Sequence, residues 1–405
     1  MSRDLNNFAP RFGFAWTFKP GWVARGGYGI FYAPQQASAG VTMSGNGRPP
    51  VIAASEVQLA YTQPTVNYTR ADGILKFPNT TVNARFPVFT PSFWDPNYRE
   101  SYAQQWNLTI EHEVFKDTVA RLGYVGSKNT KVQGALNFNL LRPLQGNTRE
   151  DLRFTAVELY GPFFSGVYHA LQTVLSRRLS RGLAIEANYT WSHSIDNFGG
   201  FFGLNAGAAP IQNYGNLRAE RGDSEFDIRH SFKSSVVYEL PFRPQQRALS
   251  WLVKGWAAAA IFTAETGQPY SVLTGGGVGD GFNNQRANLV TSVASTGNAR
   301  ALNAQILNTA AFATPTVADA ATGYRFGNLS RSALTAPPFV NWDLSLQRNF
   351  RLTEKFNLQF RAEFFNAFNQ VNYNRPVNTL NNPNFGRIIG TANPREIQLG
   401  LKLSY

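Results

Sequence analysis

Eleven stretches of the chain read as strands, and in most of them hydrophobic and polar residues alternate with a period of two. The last stretch, PREIQLGLKLSY, is the most regular. Ile397, Leu399, Leu401, Leu403 and Tyr405 occupy one parity, and Gln398, Gly400, Lys402 and Ser404 the other. Such a pattern makes a strand with one oily and one polar face. A strand that closes on an aromatic ring suits a membrane–water boundary, where rings are well accommodated. The residues Ile397 to Tyr405 are therefore expected to form a lipid-facing, membrane-inserting strand.

The other stretches follow in pairs. Arg11 to Phe18 puts Phe12, Phe14, Trp16 and Phe18 on one face, and Lys19-Pro20-Gly21 turns it into the glycine-rich Trp22 to Tyr32. Gln105 to Glu113 turns at Lys116-Asp117 into Thr118 to Ser127. Tyr168 to Leu179 turns at Ser180-Arg181-Gly182 into Leu183 to Ser192. Arg229 to Leu240 joins Lys254 to Thr266 across a moderate connector, 241–253. Val340 to Phe350 joins Phe356 to Phe368 across Arg351 to Lys355. Between the pairs lie long, Pro/Gly-interrupted connections at 34–99, 128–167, 195–228, 267–338 and 369–393. Short and long connections thus alternate, as in outer-membrane barrels with tight periplasmic turns and long external loops. The expected fold is all-β: an antiparallel transmembrane β-barrel meander of about eleven strands. Bacterial single-chain barrels have even strand numbers, so an odd count predicts that further strands belong upstream.

Composition fits this reading. The apolar run from Ala257 to Phe262 is the longest clean one, far short of a membrane helix. There are no cysteines, which excludes disulfides, thiolate metal sites and thiol nucleophiles. The N-terminus, MSRDLNNFAP, lacks the apolar core of a signal peptide. An exported barrel needs one, so the chain is expected to begin inside a longer protein. The net charge of +13 is carried mainly by arginine, which pairs well with phosphate and carboxylate. The basic residues are scattered rather than clustered. Lipid headgroups or an anionic ligand account for them as well as nucleic acid would, and nucleic acid is not an expected partner.

Six segments in order, NFAPRFGFAWTFKPG…VARGGYGIFY, YHALQTVLSRRLSRGLAIEANYTWSHSIDN, DIRHSFKSSVVYELPF, GWAAAAIFTAETGQPYSV, FFNAFNQVNYNRP and PREIQLGLKLSY, resemble the C-terminal part of TonB-dependent outer-membrane receptors. The group they are most similar to carries a carboxypeptidase-regulatory-like domain. The resemblance implies that residues 1–405 are the second half of a 22-stranded barrel in the cell outer membrane. It implies lipid, the barrel-assembly machinery, an upstream plug and barrel half, and the TonB complex as partners. Plug, TonB box and signal peptide lie outside the segments that match. The implied activity is import of a bulky nutrient such as a siderophore, glycan or peptide. Rival readings are a barrel or adhesin that only displays loops, and a soluble β-rich carbohydrate enzyme.

Candidate chemistry is sparse, and neither an enzyme nor a cofactor is expected. Ser192, His193, Ser194 and Asp196 fall within one strand end, where neighbouring side chains alternate faces instead of forming a triad. Asp223, Glu225 and Asp227 have a spacing that could hold Ca²⁺, yet Arg218, Arg221 and Arg229 stand ready to pair with them, so a salt-bridged loop base is expected. His112, His169, His193 and His230 lack metal-site spacing and read as polar strand positions near the interface. Asp280, Asn283 and Asn284, in the glycine-rich 275–284, are candidate ligand contacts on an otherwise flexible loop. The principal candidates are the polar rows expected to line the lumen and meet plug or substrate. These are Gln105, Asn107 and Glu111; Glu186 and Asn188; Asn341 and Asp343; and Gln359, Arg361 and Glu363.

Overall fold

The computed structural model describes residues 7–33, 92–139, 157–197, 211–213, 215–242, 253–277, 284–295, 301–315 and 326–404. Eleven strands form its wall: β1 (Arg11–Lys19), β2 (Trp22–Ala33), β3 (Ser101–Phe115), β4 (Thr118–Asn137), β5 (Glu158–Ser180), β6 (Leu183–Asp196), β7 (His230–Glu239), β8 (Trp256–Glu265), β9 (Phe339–Arg351), β10 (Asn357–Phe365) and β11 (Glu396–Ser404). They are hydrogen-bonded in chain order from β1 to β11, and every neighbouring pair in that order is antiparallel. The two outermost strands, β1 and β11, are not paired with each other. Among the described residues no helix is long and apolar enough to cross a membrane. Tyr405 lies outside the described residues.

The tight turns come from residues that tolerate positive φ. Gly21 (φ 76°) serves β1–β2, Asp117 (φ 63°) serves β3–β4, and Arg181 with Gly182 (φ 53° and 80°) serves β5–β6. Such conformations favour glycine and, among other residues, the short polar ones. Arg181 is the exception, and Gly182 beside it takes the larger share of the reversal.

Cross-strand partners share a face, so the register sorts every side chain in the wall. One face carries Phe12, Phe14 and Trp16 of β1, Trp106, Leu108 and Ile110 of β3, Leu183, Ile185 and Ala187 of β6, Leu344 and Leu346 of β9, and Phe360 with Leu401 across β10–β11. Leu399 and Leu401 leave 69% and 72% of their surface uncovered. A face this apolar has to meet hydrocarbon, because in water it would aggregate. Aromatic groups mark both margins of that face. Toward the tight turns, Trp22 stacks on His112 at 3.9 Å, and Trp256 packs edge-on against Phe350 and Phe360. Toward the long connections, Tyr124 stacks on His169, Tyr189 on His230, and Phe262 lies 4.2 Å from Trp342. Three of the four histidines therefore sit in the aromatic margins.

The structure corrects the expected elements in two places. β4 and β5 run well past Ser127 and Tyr168 and stay paired to Asn137↔Glu158, where the three-residue strand Ser92–Trp94 joins β5 in parallel. Period-two polarity fades there because neither face meets lipid, yet the backbone ladder continues. The second correction concerns the connections read as irregular. Much of 267–338 and 369–393 folds into a compact cap. Short strand pairs join Pro269–Tyr270 to Leu334–Thr335, Leu273–Gly277 to Asn284–Arg286, and Asn288–Leu289 to Phe312–Ala313. Tyr270, Val272, Ala287, Leu307, Phe312 and Phe385 belong to its buried apolar core.

Candidate functional site

The opposite face of the wall is polar, and the register assigns Gln105, Asn107, Glu111, Glu186, Asn188, Asn341, Asp343, Gln359, Arg361 and Glu363 to it. These residues do not converge on one constellation. They form local pairs strung across the wall. Glu111 accepts a 3.0 Å hydrogen bond from Arg121, with Arg25 at 3.8 Å. Asn188 donates to Glu186, Asn341 donates to Asp343, and Arg361 reaches Glu363 at 3.5 Å. Exposed pairs of this kind contribute little stability, which leaves the groups available to a wet lumen. Of the loop candidates, Asn284 is paired with Gly277 in the cap, and Asp280 and Asn283 lie outside the described residues.

At the loop end of β6 the alternation splits Ser, His and Asp between the two faces. Ser192 donates to the Ile228 carbonyl and Ser194 meets Ser224, whereas His193 Nε2 meets Asp223 at 2.8 Å. Among the described residues no serine shares a hydrogen bond with His193, and the Ser–His–Asp grouping does not form a triad. His193, Asp223 and Asp227 bring one ligand atom each within 4.8 Å of one another. A cation is already supplied there by the chain itself. Arg229 Nη2 lies 3.1 Å from Asp223 and 3.3 Å from Asp227. Burial pushes the Asp227 carboxyl above the usual carboxylate range, opposed by the Ser194 N–H and by Arg229.

Two buried ion pairs hold the cap, one to the wall and one to the connection between β6 and β7. Arg331, from the cap, grips Asp196 at the loop end of β6. Arg286 pairs with Glu220, and both are essentially without solvent. Arg286 also donates to the Leu329 carbonyl, and Gln212 to the Gly327 carbonyl. Burying a guanidinium and a carboxylate costs several kcal/mol each unless both are saturated with hydrogen bonds, and here the partners are supplied. Nothing local in the sequence signals these contacts. Glu220 and Arg286 are 66 residues apart and neither lies on an alternating stretch.

Beside the cap, at the loop rim of β8 and β9, lies a cavity of about 640 Å³. Its lining includes Glu265 and Phe339, cross-strand partners on the polar face, with Gln268, Asn374 and Arg375 from the cap and Glu225 from the loop base. Glu265 Oε1 is held by Lys233 and Ser231, both at 2.9 Å. The Arg375 guanidinium stacks over Tyr270 at 5.8 Å. Of these lining residues only Glu225 was singled out above, as part of the loop base. Extending the polar rows to the loop ends of β8 and β9 would have found Glu265 and Phe339, but nothing local marks Arg375.

A family described as an outer membrane beta barrel domain matches residues 1–398. No curated protein matches the sequence. Among solved structures, the outer membrane transporter YddB from Escherichia coli aligns with a TM-score of 0.56 at 11% identity, covering 98% of this chain and 40% of that one. The ferric enterobactin receptor PfeA from Pseudomonas aeruginosa aligns at 0.47 and 10%, covering 98% and 40%. The ferripyoverdine receptor of the same organism aligns at 0.46 and 9%, covering 98% and 32%. This chain spans less than half the length of each of these proteins.

Proposed function

The chain belongs to the outer-membrane β-barrel domain family, and from that premise we propose that residues 1–405 are the C-terminal barrel portion of an active-transport receptor. In this reading the loop cap admits a bulky nutrient to a lumen lined by the polar rows of β3, β6, β9 and β10. A plug and further strands complete the barrel, and the TonB complex energises passage. The chain performs no covalent chemistry. The observation that carries the proposal is the cap: the loops hold a dry core of their own and are bolted to the wall by Asp196–Arg331. A shaped, rigid vestibule over a polar wall suits capture and delivery better than loose display. Fold likeness to YddB supports the barrel architecture and nothing finer.

The test is uptake by intact cells with the gene present, deleted, or lacking codons 284–335. Import that needs the gene, collapses with a protonophore and is lost with the cap supports the proposal. Surface adhesion that survives cap-independent energy poisoning, with no nutrient import, replaces it with the loop-display reading.

A further inference from the structure

The cavity at the loop rim of β8 and β9 lies on the polar face, at the loop end of the polar rows. Its volume, about 640 Å³, is within the range that holds small ligands or one to a few linked rings. Three features constrain what it takes. First, its charges are balanced. Glu225, Glu265 and Arg375 all line it, and Glu265 is offset by Lys233 at 2.9 Å. A multiply charged anion or cation finds no excess of opposite charge here. Second, the polar groups are planar and directional. Both protein hydrogen bonds to Glu265 go to Oε1, so Oε2 remains as an acceptor, and Arg375 makes no hydrogen bond among the described residues. Gln268 and Asn374 add amides that both donate and accept. Third, Phe339 offers an open ring, 36% exposed, beside the Glu265 carboxylate.

We propose that this cavity is a sugar-binding subsite, with a hydroxylated ring over Phe339 and its hydroxyls shared between Glu265 and Arg375. Hydroxyls both donate and accept, so a carboxylate and a guanidinium each satisfy one half of a vicinal pair. The flat C–H face of a sugar ring meets an aromatic face without desolvating a charge. An oligosaccharide is thereby selected over a ferric catecholate, whose negative charge has no cationic cluster to meet. The inference rests on the transport reading, since it names the class of nutrient that enters.

The experiment uses outer-membrane vesicles from cells carrying the gene as it stands in the genome. Fluorophore-labelled malto-, cello-, xylo- and galacturono-oligosaccharides, a ferric catecholate and a tripeptide serve as separate probes. At least one oligosaccharide should bind saturably. Phe339→Ala and Arg375→Gln should each weaken it by about ten-fold or more, while the variants keep the protease resistance of the parent. Glu265→Gln, which retains an acceptor, should weaken it less than Glu265→Ala. Saturable binding of the catecholate or peptide instead overturns the sugar assignment and leaves the transport reading standing. Sugar binding unchanged in well-folded Phe339→Ala and Arg375→Gln vesicles overturns the site. Failure of every probe overturns the site as well, and only a parallel loss of gene-dependent uptake would take the transport reading with it.

Discussion

A single side chain in this wall is governed by which face it is on and how deep it lies. Phe360 is on the apolar face by parity. The register puts it beside Arg348, in the turn-side aromatic margin with Trp256 and Phe350. Depth therefore changes the expectation. Phe360→Arg should cost roughly 1 kcal/mol or less, whereas Leu344→Arg, near the middle of β9, should cost about 2–4 kcal/mol in a folding titration in lipid. Equal costs at the two positions would mean that this face does not cross hydrocarbon. Parity was legible in the sequence wherever residue types alternate, as in β1, β6, β10 and β11, and not in the glycine-rich β2 or the Ala257–Phe262 run of β8. Depth was not, because it depends on where the neighbouring strands start. At Asp227 the controlling variable is protonation. Burial holds its carboxyl above the ordinary value, among Arg229, His193 and Asp223. Between the ordinary and the raised value the folded state binds the extra proton. This group's contribution to stability therefore falls as pH rises through that window, and is most favourable below it. Asp227→Asn should flatten that component of thermal stability at pH above the ordinary carboxylate range. A slope identical to the parent's would remove Asp227 as its source.

The elements divide into those the sequence announces and those it hides. The eleven wall strands were announced, with β4 and β5 read too short, because most carry their own alternation and the short connections carry turn residues. The cap was hidden. Its strands are two to five residues long, too short for any period to register, and its core is assembled from segments a hundred residues apart. Hydrogen bonds such as Asn378 to the Ser271 carbonyl have no local signature. Two substitutions test whether the cap is one cooperative unit. A side chain at Gly327 would overlap the Arg286 carbonyl, which packs directly against it. Gly327→Ala should therefore loosen the cap without touching the wall, visible as new protease cleavage within 284–335. Removing one partner of the buried pair should act similarly. Glu220→Gln strands a buried guanidinium and should cost about 3–5 kcal/mol of cap stability, while Glu220→Leu with Arg286→Met should recover much of it. Protection of the Ala287 and Leu329 amides from hydrogen exchange reports both effects. Unchanged protection in Glu220→Gln would show that the pair is not what holds the cap.

At the scale of the molecule the controlling fact is direction. β1 and β11 both run from the long-loop rim to the tight-turn rim, because an even number of antiparallel steps separates them. Closing one on the other would make a parallel seam in a wall that is otherwise antiparallel, and barrels of this kind avoid it. Two copies joined side by side meet the same obstacle, since β11 of one would again lie parallel to β1 of the other. Antiparallel closure takes an odd number of additional strands between the two edges. Left unpaired in hydrocarbon, each edge presents a row of N–H and C=O groups that cost several kcal/mol apiece. Residues 1–405 produced alone and refolded into lipid should therefore aggregate, and should show no protease-resistant monomer whose gel mobility shifts on heating. Supplying the complementary barrel strands that the proposed function calls for should restore one. The exposed row on β11, with Leu399 and Leu401 alongside, makes that edge the expected site of first association. A Pro replacing a β11 residue whose N–H points away from β10 should slow aggregation without disturbing the β10–β11 ladder. A heat-modifiable, monomeric species from residues 1–405 alone would instead establish that eleven strands close by themselves.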